Sequence, residues 1–244
     1  MELDLDLYDD KLEPVRVAVY GKYGVGKTTL IHRLNNKTYE QTIGTASTRG
    51  VEYVTLPGYF NVKTYLTDGT VRYKTVKIRC TDTMGQERFR AIVRTYFAET
   101  QIALIICAAN DLDSIENDLP YYSKELLQFS ELDIKNGRRG KKLLAILNKI
   151  DVLEEGGPEK LNNLINVATF RKIASSLNID NMEISAKLVD SKHLREYLEN
   201  AVVQYYAQKE STVTALIDFP MELYVSNLTP RPTDPVVAKN KCCH

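Results

Sequence analysis

The 244-residue sequence predicts an α/β protein built around a doubly wound sheet with helices on both faces. Three observations support this fold class. Short runs rich in β-branched residues alternate with helical stretches along the chain. The stretches 102–109 and 142–148 are apolar almost throughout, which is typical of parallel strands buried on both faces. A glycine-rich loop joins the first strand to the first helix, as in folds that bind phosphate at this point.

The elements follow in order from the amino terminus. A strand at 14–20 leads into the glycine loop, and the spacing of apolar residues in "KTTLIHRL" predicts a helix after it. Asp68 and Gly69 are typical of a two-residue hairpin turn. Further strands are expected at 50–56, 61–66, 70–80, 102–109, 142–148 and 181–185. Helices are expected at 27–34, 86–98, 115–130, 158–177 and 191–208.

This pattern predicts one domain with two extensions. The domain spans 14–208, preceded by an extension at 1–13 and followed by an extension at 209–244. The last ~20 residues are rich in proline and polar side chains, so we expect a flexible tail.

The composition excludes some classes of function. Lys and Arg together number 32, as do Asp and Glu, so no net charge attracts nucleic acid. The stretch 1–13 is acidic and lacks the basic start and apolar centre of a secretory signal. No apolar run approaches the ~20 residues of a membrane-spanning helix. Cys80 and Cys107 lie in apolar runs, and the arrangement of cysteines predicts no disulfide framework, which favours a reducing compartment.

The strongest motif is "GKYGVGKT" at 21–28, which matches the phosphate-loop pattern G-x-x-x-x-G-K-[ST]. Backbone N–H groups of such a loop cradle phosphates at the start of a helix. Lys27 would supply a positive charge to the outer phosphates, and the Thr28 hydroxyl could bind Mg²⁺. A glycine turn with an incidental lysine is the alternative interpretation.

Three weaker motifs follow later strands. "DTMGQE" (82–87) places Asp82 where a carboxylate can act on Mg²⁺, with a glycine and a glutamine near the terminal phosphate. "NKID" (148–151) offers a carboxylate that can accept from the N1–H and amino group of guanine, a donor pair that adenine lacks. "SAK" (185–187) can add a backbone N–H for the guanine oxygen. Each motif alone could also be an ordinary polar turn or helix cap.

In this order, and each at a strand end, the four motifs resemble those of the Ras superfamily of small GTPases. The stretch "DTMGQERFRAIVRTYF" (82–97) is most similar to the Rab branch. The resemblance covers residues ~15 to 208. It implies a six-stranded sheet flanked by helices, binding of GTP or GDP with Mg²⁺, slow hydrolysis of GTP to GDP and phosphate, and two switch segments that order around the terminal phosphate.

The resemblance also assigns roles to individual residues. Gln86 would position the attacking water, and Mg²⁺ would be held by Thr28, by Thr42 of the first switch, and by Asp82 through a water. Thr45 is the alternative to Thr42. The nucleotide-binding residues would be Gly21, Tyr23, Gly24, Val25, Gly26, Lys27, Thr28, Thr29, Thr42, Asp82, Gly85, Asn148, Lys149, Asp151, Ser185, Ala186 and Lys187.

The sequence departs from the Rab pattern at several points. With Thr42 as the switch threonine, the stretch from Lys27 is shorter than is usual, and the stretch on to Asp82 is longer. We therefore expect a shortened first switch and an insertion in the hairpin that joins the switches, including "LPGY" (56–59). Thr81 replaces a tryptophan and Met84 an alanine. The resemblance implies that Tyr23 occupies the position beside the terminal phosphate, where relatives usually have a small residue.

The chain ends in "KCCH", which resembles the double-geranylgeranylation signal of Rab proteins at Cys242 and Cys243. Metal binding by these residues is the alternative interpretation. Two lipid chains would give stable anchoring, where one gives reversible binding. We therefore expect a lipid-anchored protein on the cytoplasmic face of intracellular membranes, with a cytosolic pool.

The resulting hypothesis is a Rab-like, membrane-tethered GTPase that acts as a switch in vesicle trafficking. Effectors, an exchange factor and a GTPase-activating protein would be its partners. A second hypothesis is a GTP-locked scaffold that binds GTP but barely hydrolyses it, as Tyr23 and the altered switches would favour. A third, a P-loop kinase or ATPase, is disfavoured by "NKID".

Overall fold

The computed structural model describes residues 14–44, 48, 50–65, 71–154, 159–207 and 214–216. The expected extension at 1–13, the turn at Asp68 and Gly69, and the carboxyl-terminal tail lie outside these residues.

Nine strands and five α-helices occur in this part of the chain. The strands are β1 (Val15–Tyr20), β2 (Glu52–Thr55), β3 (Phe60–Tyr65), β4 (Val71–Val76), β5 (Ile78–Asp82), β6 (Ile102–Ala108), β7 (Lys142–Asn148), β8 (Asp180–Glu183) and β9 (Thr214–Leu216). The helices are α1 (Lys27–Leu34), α2 (Arg90–Thr95), α3 (Leu119–Lys135), α4 (Glu159–Ser176) and α5 (Ser191–Ala207). Short 3₁₀ helices occur at Glu40–Thr42, Glu87–Phe89 and Ile150–Leu153, and a π-helical turn at Ser114–Asp118.

The main sheet has six strands in the order β2-β5-β1-β6-β7-β8. Strand β2 runs antiparallel to β5, and the other neighbouring pairs are parallel. This topology confirms the predicted α/β fold class with a six-stranded sheet flanked by helices. Because the parallel strands end at the same edge, the loops after β1, β5, β7 and β8 meet there.

Apolar side chains pack on both faces of this sheet. Along β1, Val17 and Val19 belong to the cluster that includes α1 and α5, whereas Ala18 and Tyr20 belong to the cluster that includes α3 and α4. All four are buried. A strand that is covered on both faces has no polar side to its pattern, which is why β6 is apolar throughout.

Several predicted elements differ from the structure in their bounds. The helix expected at 115–130, for example, is α3 (Leu119–Lys135), preceded by a π-helical turn. The stretch expected to be one strand at 70–80 divides at Lys77 into β4 and β5, which belong to different sheets. The chain alternates in polarity across this point, so the local pattern cannot show that the partner strand changes. The helix expected at 86–98 is shorter: the 3₁₀ helix Glu87–Phe89 precedes α2, which ends at Thr95.

The insertion between β2 and β5 forms the hairpin β3–β4. Its strands pair antiparallel along their whole length, and β9 adds to the other edge of β3 through Val62 and Leu216. Val62 and Val76 are buried in the same cluster as Val202 and Tyr206 of α5. The hairpin and the strand that follows α5 therefore form a second, three-stranded sheet packed against that helix.

Polar contacts fix the base of the hairpin. Arg195 of α5 donates to the backbone carbonyl of Pro57, and the Lys77 ammonium lies 4.6 Å from the centre of the Tyr59 ring. In the described residues, no helix combines the length and apolarity that crossing a membrane requires.

We predict that Val62→Ala lowers the free energy of unfolding by about 2 kcal/mol, because it removes two buried methyl groups and leaves a cavity. Urea unfolding under one fixed set of solution conditions measures the change. Leu161→Ala is the control, because Leu161 is 66% exposed and should change stability by less than about 0.5 kcal/mol. Equal stability of Val62→Ala and the unsubstituted protein would show that the hairpin is not part of the core.

Candidate functional site

The phosphate loop lies between β1 and α1. Gly21, Gly24 and Gly26 have φ angles of 138°, 80° and 102°, a region that side chains other than glycine rarely adopt. No side chain caps the start of α1. The first N–H groups of this helix can therefore bind an anion, as the motif predicts.

Lys27, at the start of α1, is buried beneath this loop. Its ammonium donates to the carbonyl oxygens of Gly21 and Lys22, each at 2.9 Å. Burial lowers the pKa of Lys27 to about 8, although the nearby carboxylates of Asp82 and Asp118 favour the charged form. A phosphate in the loop would add the negative charge that holds this ammonium protonated.

Three oxygen-bearing side chains meet beside Lys27. The Thr28 hydroxyl donates to Asp82 Oδ2 at 2.6 Å and lies 3.0 Å from the Thr48 hydroxyl. Thr48 also donates to Asp82 Oδ2, at 3.2 Å. Burial raises the pKa of Asp82, and its Oδ1 is buried without a hydrogen-bond partner among the described residues. Hydroxyl and carboxylate oxygens are the ligands that Mg²⁺ prefers, so this donor set fits the ion.

Thr48 is not among the residues that the sequence motifs predict to bind Mg²⁺. The structure places the Thr42 hydroxyl on the carbonyl of Tyr39, at 2.7 Å within a 3₁₀ helix, and places Thr48 against Thr28 and Asp82. Thr45 lies outside the described residues. The physical reason is the register of β2, in which Glu52 pairs with Asp82, so that residues just before this strand lie close to that carboxylate.

A signal for Thr48 was present in the sequence. The run "TRGVEY" (48–53) leads directly into β2, whereas "QTIG" (41–44) lies several residues before it. If Thr48 is the switch threonine, it follows Lys27 by 21 positions instead of 15, and the first switch is not shortened. The insertion before Asp82 remains as the hairpin β3–β4.

Residues 85–90, here named the second switch segment, begin against the phosphate loop. A Cβ atom on Gly85 would collide with the Lys27 ammonium and lie 2.7 Å from the backbone nitrogen of Tyr23. Only glycine therefore fits this close approach. Gln86 follows, and its Oε1 accepts a hydrogen bond of 2.8 Å from Arg88 Nε.

A cavity of about 460 Å³ opens between this segment and the phosphate loop. Its lining residues are Lys22, Tyr23, Gly85, Gln86, Glu87 and Arg88. Tyr23 is 60% exposed and lies at the edge of this cavity.

The loops after β7 and β8 meet through Asn148. Its side chain is 2% exposed; Nδ2 donates to the carbonyl of Val25 in the phosphate loop, and Oδ1 accepts from the N–H of Ala186, each at 2.9 Å. Ala186, expected to contact the guanine oxygen, here donates to Asn148. A Cβ on Gly26 would collide with Asn148 Nδ2, so this glycine is also required by close packing.

The other residues expected at the base lie around this junction. Lys149 has a left-handed backbone, with φ of 64°, which turns the chain sharply after β7. Asp151 follows in the 3₁₀ helix Ile150–Leu153 and is half-buried. Ser185 is buried, and Lys187 is exposed. The structure thus brings "NKID" and "SAK" together at the edge of the sheet that also carries the phosphate loop.

Cysteines do not form part of this site in the described chain. Cys80 and Cys107 are buried free thiols, and burial raises the pKa of both. No group of three or more His, Cys, Asp or Glu that could hold a metal occurs among the described residues. Cys242 and Cys243 lie outside them.

Comparison with known proteins agrees with this geometry. A model of the Ras family matches residues 16–207. The GTP-binding protein ypt1 of Schizosaccharomyces pombe is 31% identical over 172 residues, which are 70% of this chain and 71% of that protein. The Ras-related protein RABD2a of Arabidopsis thaliana is 32% identical over 172 residues, with the same coverage of 70% and 71%. The chain therefore belongs to the Ras family and is a Rab-like small GTPase.

Proposed function

We propose that this protein binds GTP and GDP with Mg²⁺, hydrolyses GTP slowly, and acts as a membrane-tethered switch in vesicle trafficking. The observation that carries the proposal is the meeting of Thr28, Thr48 and Asp82 beside the buried ammonium of Lys27. This arrangement joins a phosphate site to a set of Mg²⁺ ligands.

The phosphates would lie along the glycine loop. The N–H groups at the start of α1 would bind their oxygens, and Lys27 would turn from the carbonyls of Gly21 and Lys22 to the outer phosphates. Val25 and Thr29 lie within the loop and the first turn of α1, where their backbone N–H groups belong to the same cradle.

The hydroxyls of Thr28 and Thr48 would bind Mg²⁺, with Asp82 acting through a water. Bound there, the ion would neutralise charge on the terminal phosphates. The convergence of these two hydroxyls on one carboxylate oxygen supports the assignment of Thr48, in place of Thr42 or Thr45, as the threonine of the first switch.

Hydrolysis requires a water in line with the terminal phosphorus. Gln86 would orient this water, and the N–H of Gly85 would bind the terminal phosphate, because Gly85 already packs against the phosphate loop. The new P–O bond forms as the bond to the bridging oxygen breaks. Lys27 and the loop N–H groups stabilise the developing charge.

Guanine would be recognised by Asp151, whose carboxylate can accept from N1–H and the exocyclic amino group. Asn148 would hold the base loop against the phosphate loop, since both atoms of its amide already bond to these loops. Lys149, Ser185, Ala186 and Lys187 would complete the base site.

The carboxyl-terminal cysteines would anchor the protein to the membrane. Two geranylgeranyl chains on Cys242 and Cys243 would give stable attachment on the cytoplasmic face of intracellular membranes, with a cytosolic pool. Effectors, an exchange factor and a GTPase-activating protein would be the partners of the switch.

The experiment that tests guanine recognition is competition of GTP and ATP against labelled GDP. We expect Asp151→Asn to weaken binding of guanine nucleotides by about 100-fold or more, because two hydrogen bonds to a charged group are lost. Glu154→Gln is the matched control, since Glu154 is an exposed carboxylate just beyond the same 3₁₀ helix. An unchanged preference for guanine in Asp151→Asn would refute this role.

The role of Thr48 is tested by GTP release as a function of Mg²⁺ concentration. Thr48→Ala should raise the Mg²⁺ concentration needed to retain GTP by about tenfold or more, because a ligand of the ion is lost. The same change at Thr42 should have the smaller effect. A larger effect of Thr42→Ala would instead support Thr42 as the threonine of the first switch.

The second candidate function, a GTP-locked scaffold, is favoured by Tyr23. Its ring borders the cavity that also contains Gln86 and Arg88, where an arginine from an activating protein would enter. Tyr23 would then keep that arginine out without preventing nucleotide binding.

We predict that Tyr23→Ser raises activator-stimulated, single-turnover GTP hydrolysis by about tenfold, a small part of what an activator's arginine can contribute. Tyr59→Ser is the control, because Tyr59 lies at the base of the hairpin β3–β4. Efficient activator-stimulated hydrolysis by the unsubstituted protein would rule out the scaffold, and an unchanged rate in Tyr23→Ser would leave the tyrosine without this role.

A further inference from the structure

We propose that the ion pair between Arg90 and Asp118 positions the second switch segment, and with it Gln86, for GTP hydrolysis. Arg90 is therefore a positioning residue, and so is Asp118. The inference rests on the proposed role of Gln86 and extends it to residues that contact neither nucleotide nor water.

The second switch segment has two fixed ends. At its start, Gly85 packs against the Lys27 ammonium and the backbone of Tyr23 so closely that no side chain would fit. At its end, Arg90 begins α2 and donates to Asp118 Oδ1 at the beginning of α3. Gln86 lies between these two contacts, one residue from the first, so the course of the chain between them fixes its position.

The carboxylate of Asp118 depends on Arg90. Its side chain is only 2% exposed, and Oδ2 is buried without a hydrogen-bond partner within the described residues. Removing one partner of a buried ion pair leaves the other uncompensated, which is costly. The guanidinium of Arg90 also lies 4.8 Å from the centre of the Tyr121 ring. Because the guanidinium contacts both Asp118 and the Tyr121 ring, the direction of the Arg90 side chain is restrained as well as its distance from Asp118.

The turn that carries Asp118 also contacts the phosphate loop. Asp113 accepts from the Lys22 ammonium at 2.6 Å and from Asn117 Nδ2 at 2.6 Å, and Asp111 lies 3.5 Å from the same ammonium. Residues 111–118 therefore bind the phosphate loop at one end and the second switch segment at the other. Both ends of the second switch segment are therefore connected to residues 111–118. Gly85 is connected through the phosphate loop and Arg90 through Asp118.

The backbone of this turn is unusual. Residues Ser114–Asp118 form a π-helical turn between β6 and α3. Such turns are rare, and they often occur at functional sites. The extra residue of a π-turn shifts the side chains that follow it around the helix axis. Asp118, the last residue of the turn, lies where it meets Arg90 on α2.

The experiment measures single-turnover GTP hydrolysis with Mg²⁺ in Asp118→Asn, which keeps the shape of the side chain and removes its charge. We expect the rate to fall at least fivefold. The dissociation rate of labelled GDP should stay within twofold, because other residues make the proposed nucleotide contacts, and Asp82 and the phosphates would still keep Lys27 charged. Arg90→Gln removes the charge of the other, more exposed partner of the pair and should lower the rate similarly. Arg90→Lys keeps the charge and should restore part of the rate that Arg90→Gln loses.

The matched control is Glu125→Gln. It removes the ion pair between Arg94 Nε and Glu125 Oε2, which are 2.6 Å apart and join the same two helices farther from Gln86. Its hydrolysis rate should stay within twofold of the unsubstituted protein. An equal loss of activity in Glu125→Gln and Asp118→Asn would overturn the proposal, since any contact between α2 and α3 would then suffice.

Amide hydrogen exchange with a non-hydrolysable GTP analogue provides a second measurement, independent of catalytic rate. Asp118→Asn should raise exchange at residues 86–90 at least fivefold, and Glu125→Gln should not. Unchanged exchange and hydrolysis in Asp118→Asn would refute the proposal. Gln86→Leu separates the two hypotheses: if it hydrolyses GTP normally, the role of Gln86 is wrong and this inference falls with it.

Discussion

The buried side-chain amide of Asn148 is the contact on which the geometry of the site depends. It donates to Val25 in the phosphate loop and accepts from Ala186 in the loop after β8, while its own backbone ends β7. A single amide can donate and accept at once, so it joins three loops without a charge. Because an unpartnered buried polar group costs about 1–3 kcal/mol, the loops are held at a fixed separation. The phosphate loop and the loops after β7 and β8 therefore keep a fixed spacing.

The second half of the site is held by close packing and charge. Gly85 lies against the buried Lys27 and the backbone of the phosphate loop, and Arg90 pairs with Asp118, so both ends of the second switch segment are held where it lines the cavity. Lys27 itself is bonded to backbone carbonyls at the centre of the loop. A ligand that draws Lys27 toward its phosphates changes the surface on which Gly85 rests. Lys27, Gly85 and the second switch segment are therefore physically coupled.

The general fold could be predicted from sequence because its signals are local. Runs such as 102–109 are apolar on both faces, and the glycine loop lies between a strand and a helix, so the layer order follows. The second sheet could not be predicted in this way. Strand β4 passes into β5 at Lys77 without a break in alternation, and β9 is three residues that become a strand by pairing with β3. Pairing partners distant in sequence leave no local trace.

By itself the sequence determined which residue types the proposed site offers: a phosphate-loop motif with Lys27 and Thr28, a carboxylate at Asp82, and the "NKID" and "SAK" motifs. These groups are specified by their residue types and by short, fixed spacings. Only the tertiary structure showed that Thr48 lies with Thr28 and Asp82. Thr42 carries the same hydroxyl, but Thr48 precedes the strand whose register with β5 brings it to Asp82. That register is set by pairing across the sheet, which the order of residues along the chain does not reveal.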